Sequence, residues 1–207
     1  MMLKYLTTFG IITALSLGAA QAQTAETEAA PEAEEEAATD PSLGLALGEP
    51  EGPQVGQTYV ADTFTDWELR CVRSEDGNDP CQLYQLLRDS DGNSVAEINI
   101  FAIPEGQRAV AGATLITPLE TLLTQQVRLQ IDAGEAKRYP FTFCTEVGCI
   151  SRLGFVEAEL NEFKRGASAQ ITIVPAAAPD RTVDLTMSLS GFTAGFNAVA
   201  ASQATAE

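Results

Sequence analysis

From Thr58 onward, apolar and polar residues alternate with a period of two, which restricts the chain to half-buried strands. Trp67, Leu69 and Cys71 are interleaved with Glu68 and Arg70, and Val127, Leu129 and Ile131 with Arg128 and Gln130. Val183, Leu185, Met187 and Leu189 alternate with Asp184, Thr186 and Ser188. Tyr139, Phe141 and Phe143 are predicted on one face of a further strand, and Ile171 and Ile173 on one face of another. Turn residues fall where hairpins need them. Asp91-Gly92-Asn93 separates 82–88 from 95–103, and Gly134 separates 129–131 from 137–143. Helical spacing is confined to 156–165, with Leu160 and Phe163 on one face and Gly166 as the expected cap, and to a short terminal stretch at 194–200. Many short strands with turns between them predict an all-β sandwich rather than a βαβ fold.

The chain before Thr58 has a different character. Lys4, a largely apolar run from Leu6 to Leu17 and the triplet Ala20-Gln21-Ala22 have the form of a secretory signal, predicting a signal peptide at 1–22 cut before Gln23. The apolar run is shorter than the roughly 20 residues a membrane-spanning helix needs. Residues 23–57 hold nine acids, no Lys or Arg and no aromatic until the boundary, with Ala, Pro and Gly filling much of the rest. Such a segment buries too little apolar surface to offset its chain entropy, so a disordered acidic spacer is expected there. Residues 58–207 form the expected folded domain, and with 45% hydrophobic residues the chain can build a true core.

Charge and composition narrow the function. The net charge is −17, partly a property of the spacer, since 58–207 alone hold 20 acids and 11 bases. That sign disfavours binding to nucleic acid and to anionic lipid. No membrane insertion is expected once the signal is removed. The chain has no histidine, which removes the usual general base, the triad imidazole and the commonest zinc ligand. No phosphate-cradling glycine loop is present. Glu157 and Glu159 lie two apart on the predicted helix and point in different directions, so they make no carboxylate dyad. Phe192 and Phe196 have the spacing of core anchors, and Trp67 that of a buried strand tryptophan.

Four cysteines, Cys71, Cys81, Cys144 and Cys149, in an exported chain predict disulfides, with three connectivities open. The local pairing Cys71–Cys81 and Cys144–Cys149 is favoured. The first flanks the polar loop 74–80 and the second a glycine-containing turn at 145–148. Neither spacing is C-x-x-C, and neither suits a tetrathiolate zinc site. The cysteines are read as structural, with no catalytic, cofactor-binding or metal-binding residue assigned.

Particular residues resemble a known family. Phe64-Thr65-Asp66-Trp67-Glu68-Leu69-Arg70-Cys71, followed by Asp79-Pro80-Cys81-Gln82-Leu83-Tyr84-Gln85, resembles the opening of invasion-associated locus B proteins. Tyr139-Pro140-Phe141-Thr142-Phe143-Cys144 with Gly148-Cys149-Ile150, and the closing Leu189-Ser190-Gly191-Phe192-Thr193-Ala194-Gly195-Phe196, are similar to its later motifs. The resemblance covers about 60–200. It implies an immunoglobulin-like antiparallel β-sandwich with one or two short helices, in an exported bacterial envelope protein of the periplasm or secreted. The family takes its name from members linked to host-cell entry, and its pattern includes no catalytic residue.

The expected function is therefore a non-enzymatic protein-interaction module, with an envelope or host protein as partner and no cofactor. A structural or stress-related envelope role is the alternative. A periplasmic enzyme built on carboxylates is a further one.

Overall fold

The computed structural model describes residues 52–204, together with two paired segments before them, β1 (Thr39–Asp40) and β2 (Leu45–Ala46). The predicted signal segment and most of the acidic spacer lie outside the described residues.

The period-two runs become strands. These are β3 (Thr58–Phe64), β4 (Trp67–Val72), β5 (Cys81–Arg88), β6 (Ser94–Ala102), β7 (Ala111–Thr117), β8 (Val127–Ile131), β9 (Lys137–Tyr139), β10 (Phe141–Thr145) and β11 (Gly148–Phe155). Helix α1 (Glu157–Arg165) follows, then β12 (Ser168–Ile173), β13 (Val183–Ser188) and α2 (Phe192–Ala204). In β4, Trp67, Leu69 and Cys71 are buried while Glu68, Arg70 and Val72 are half-exposed. The ladder of β3 and β4 extends past Thr58, because the Gly56 N–H donates to the Arg73 carbonyl. At the β5–β6 turn Gly92 takes φ +85°, and the Asp89 carboxylate accepts from the Asp91 and Asn93 N–H groups.

All β strands from β3 onward join one antiparallel sheet. Its main path runs β10-β11-β7-β6-β5-β13-β12-β8-β9. The two ends of that path are consecutive in sequence. β9 and β10 are one extended run interrupted at Pro140, with β9 bonded to β8 and β10 to β11. Pro140 has no N–H to give a ladder, and its carbonyl instead accepts from Ser151 Oγ at 2.8 Å. One bent segment thus draws both sheet edges together, and the sheet becomes nearly closed and barrel-like. The all-β class holds, with two α-helices among the described residues. The two facing sheets of an immunoglobulin-like sandwich do not appear in the hydrogen bonding, because β9 and β10 carry the ladder around the end.

A fork at β5 opens this closure. One edge of β5 pairs with β6 along its length. The other edge is divided: β4 pairs with Cys81 to Tyr84, whereas β13 meets it only at Thr186↔Arg88. Side chains bridge the resulting gap. Buried Gln85 accepts from the Ser188 N–H at 2.8 Å and donates through Nε2 to the carbonyls of Ser188 and Asp66, both at 3.1 Å. The Trp67 indole N–H donates to the same Ser188 carbonyl at 2.9 Å, so the lone tryptophan is buried at this seam.

The bend at Pro140 also changes the predicted face of 139–143. Tyr139 and Phe141 are partly buried against the core, but Phe143 is 42% exposed. A register shift between Phe141 and Phe143 breaks the alternation. The two helices contribute the aromatic part of the core. Phe155 of β11 meets Phe163 of α1 at 4.8 Å between ring centres. Phe163 meets Phe192 of α2, and Phe192 meets Trp67, each at 5.5 Å. Helix α2 runs longer than the 194–200 read from spacing, since Phe192, Phe196 and Val199 form one buried stripe. Gly166 does cap α1, donating its N–H to the Glu162 carbonyl, but in an extended conformation. A side chain there would press on Leu189 and Ile131.

Candidate functional site

The antiparallel order places the β5–β6 turn, the β7–β8 connection, the β10–β11 turn and the β12–β13 connection at one end of the barrel. Two features fix that end. The Cys144–Cys149 disulfide clips the β10–β11 hairpin where those residues face each other across the ladder. Beside it, Cys149 pairs with Thr117 of β7, and the Thr117 hydroxyl donates to the Cys149 carbonyl at 3.2 Å. Gly148 sits so close to the Thr117 carbonyl, at φ +147°, that no side chain would fit. In the β7–β8 connection, buried Thr121 donates to the Pro118 carbonyl, and the Leu122 N–H donates to the Val174 carbonyl.

Among exposed acids such as Glu120 and Glu146, this braced end presents several large apolar side chains. Val147 at the hairpin tip is 77% exposed, and Leu119 in the β7–β8 connection is 57% exposed. Leu123, which opens a short 3-10 turn at Leu123–Gln125, is 40% exposed, and Phe143 shows its ring one residue before the disulfide. The Arg152 guanidinium lies 5.7 Å from the centre of the Phe143 ring. Arginine is enriched where proteins bind one another, and rigid tips lose little conformational freedom on contact.

The other disulfide, Cys71–Cys81, joins β4 to β5 and closes the loop 74–80. Asp79 organises that loop. Its carboxylate accepts from the Ser74 N–H and from the Tyr59 hydroxyl, and pairs with Arg73 at 2.8 Å. The Ser74 N–H and the Tyr59 hydroxyl hold its pKa below the usual carboxylate range, against some burial. Tyr59 is correspondingly raised, chiefly by donating to Asp79.

A third cluster joins β9 to α1. Glu159 Oε1 pairs with Lys137 Nζ at 2.6 Å and accepts from the Tyr139 hydroxyl at 3.3 Å, while Oε2 accepts from the Val156 N–H at 2.8 Å. Val156 has no side-chain acceptor, so Glu159 supplies half of a reciprocal helix cap. Burial opposes ionisation of Glu159. Lys137, the Val156 N–H and Tyr139 together outweigh it, and the pKa lies below the ordinary value. Burial, then the Glu159 charge, pushes Tyr139 well above the ordinary tyrosine value. The cavity beside these groups holds about 10 Å³, room for a water at most. This cluster fastens α1 to the barrel and has no space for a substrate.

The sequence-predicted site residues are thus two separate clips, Cys71–Cys81 on the fork and Cys144–Cys149 at the apolar end. Glu157 and Glu159 diverge: Glu157 is exposed and accepts from Asn161, whereas Glu159 is buried in its ion pair. Sequence reading gave no role to Val147 or Leu119, named Asp79 only within the motif 79–85, and weighed Glu159 only beside Glu157, not with Lys137. Val147 had a visible signal, an apolar residue at the tip of a disulfide-closed turn. The ion pair joins positions 22 apart and had none. Among the described residues, no three Cys, Asp or Glu side chains group closely enough to hold a metal ion. Among the same residues, no helix is long and apolar enough to cross a membrane.

The family model described as Invasion associated locus B (IalB) protein matches residues 67–200, from the fork tryptophan into α2. Among solved structures, the crystal structure of invasion associated protein b from Bartonella henselae is similar. It superposes with a TM-score of 0.60 at 23% identity, over 72% of this chain and 98% of that one, a likeness that bears on the fold alone. No curated protein matches the chain in sequence.

Proposed function

The chain belongs to the invasion associated locus B family, and on that footing we propose that it is an exported, non-enzymatic envelope protein that works by contact with another protein. The contact surface in this reading is the apolar barrel end carrying Val147, Leu119, Leu123 and Phe143. The observation that carries it is Val147, exposed at the tip of a turn closed by a disulfide four residues across. An aliphatic side chain exposed to this degree adds nothing to the core, and a disulfide-closed turn loses little conformational freedom when it is contacted.

Export is supported by the signal-like segment at 1–22 and by two disulfides, which persist in oxidising compartments. The periplasm is the location proposed, with an envelope protein as partner. A host-cell protein is the alternative partner, because the Bartonella henselae relative is named as invasion associated.

The test compares wild type with Val147→Asp and Leu119→Asp in chemical crosslinking and affinity capture from envelope extract. Each variant should fold normally and lose a discrete crosslinked species. Undiminished capture by both variants would refute the surface. Reproducible catalytic turnover abolished by one Asp or Glu substitution, with no partner recovered, would refute the interaction role itself.

A further inference from the structure

One groove on the barrel wall has a charge pattern that neither the core nor the apolar end explains. The registers align four strands. Arg138 of β9 faces Arg128 of β8, Arg128 faces Thr172 of β12, and Thr172 faces Asp184 of β13. Facing residues share a side of the sheet, and the neighbours Val127, Leu129, Ile171 and Leu185 are buried, so this row lies on the outer wall. It borders a groove of about 250 Å³, also lined by Gln126 and Gln170.

The two arginines are placed against electrostatic preference. Like charges directly opposite each other on a ladder repel. The chain carries far more carboxylates than cations, yet the three ion pairs among the described residues involve Arg70, Arg73 and Lys137. Arg128 donates to the Gln130 side chain at 2.8 Å, and Arg138 to the Gln125 carbonyl at 3.1 Å. A guanidinium has five donors, so most of each fork is unspent. Gln126, at the same end of the groove, is held at φ 60° and ψ 168°, backbone territory that glycine ordinarily fills.

The opposite end of the groove is different. Asp184 accepts from the Thr172 hydroxyl at 2.6 Å. It stands two strand spacings from Arg128, roughly 10 Å. A second carboxylate would be repelled there, while a hydroxyl could donate to Asp184.

We propose that this groove binds a small hydroxylated monocarboxylate of the sugar-acid class, its carboxylate gripped by Arg128 and Arg138 and its hydroxyls facing Gln170 and Asp184. Paired guanidiniums match a planar carboxylate bidentately, and the amide and acid beyond them match a polyol. The volume, slightly below that of drug-sized pockets, suits one sugar ring. The groove borders the Leu123–Gln125 turn but is lined by none of Val147, Leu119, Leu123 and Phe143, so variants of the two sets test the two readings independently.

The test is an NMR titration of the isotope-labelled exported protein with glucuronate, with glucose as the uncharged match. Glucuronate should shift the signals of Gln126, Arg128, Arg138 and Gln170 saturably, and glucose should leave them in place. Arg128→Gln and Arg138→Gln should each weaken binding by about tenfold or more, the loss of a charged hydrogen-bonded contact. Should Arg128→Gln misfold, the exposed Arg138 still gives the result. Three outcomes would overturn the proposal: no saturable shift up to about 10 mM, a concentration that detects even weak sites; equal shifts with glucose; or undiminished binding by a folded Arg138→Gln protein.

Discussion

Replacing Gln85 by leucine isolates the side chain that spans the fork in the sheet. The two residues are similar in size, so the change removes hydrogen bonding and leaves burial nearly intact. It withdraws the acceptor of the Ser188 N–H and the donor to the Ser188 and Asp66 carbonyls. The Ser188 carbonyl keeps the Trp67 indole, and Asp66 is exposed enough to turn to water. The Ser188 N–H is the atom left without a partner, at a cost of about 1–3 kcal/mol. With the net loss of the remaining bonds, the expected destabilisation is about 2–3 kcal/mol. For a domain of this size that corresponds to a fall in Tm of roughly 5–10 °C. Urea unfolding followed by tryptophan fluorescence reads it directly, because the chain has one tryptophan and it lies at the seam. A Gln85→Leu protein within about 0.5 kcal/mol of wild type, the scatter of neutral surface changes, would show that Gln85 does not hold the fork.

Further expectations follow from the other joints. Glu159→Gln should destabilise by about 1 kcal/mol at pH 7, a figure discounted because Lys137 is partly solvent-exposed. Since the folded pKa of Glu159 is depressed, its stabilisation is present above the ordinary carboxylate value and lost as pH falls through the folded pKa. The gap between variant and wild type should close in acid; a gap constant with pH refutes the ion pair. Tyr139 should remain neutral in a spectrophotometric titration after an ordinary tyrosine has ionised; because its folded pKa is raised, its stabilisation is fully present below the ordinary tyrosine value and is lost as pH rises from there through the folded pKa. Tyr139→Phe should remove a late-titrating tyrosine, and loss of an early one instead would contradict the burial. Gly191→Ala should destabilise by several kcal/mol in denaturant titration, because Gly191 has φ +86° and a Cβ would collide with the Phe64 carbonyl oxygen. A near-neutral effect would mean the turn into α2 is placed incorrectly.

The strands and helix α1 were legible because their signals are local. Period two at 67–71, 127–131 and 183–189 and the glycine turns need no knowledge of partners. The way the strands combine was not local. Barrel-like closure depends on Pro140 dividing one run between β8 and β11, and on Gln85 reaching residues more than 100 positions away. Tyr139-x-Phe141-x-Phe143 read as one face because a bulge carries no apolar signature. The groove was illegible for the same reason. Alternation puts Arg128 outside, but only the register sets it opposite Arg138. The local cysteine pairs were readable from spacing, because residues flanking a tight turn face each other in a hairpin.

Contact with another protein through the end bearing Val147 is the proposed mode of action. A photo-crosslinking amino acid placed at position 147 in the producing cell, with Gln107 on the exposed β6–β7 loop at the opposite end as control, tests that contact. One discrete protein adduct is expected from position 147 and none from position 107. Adducts from 107 alone, or from neither position, would contradict it.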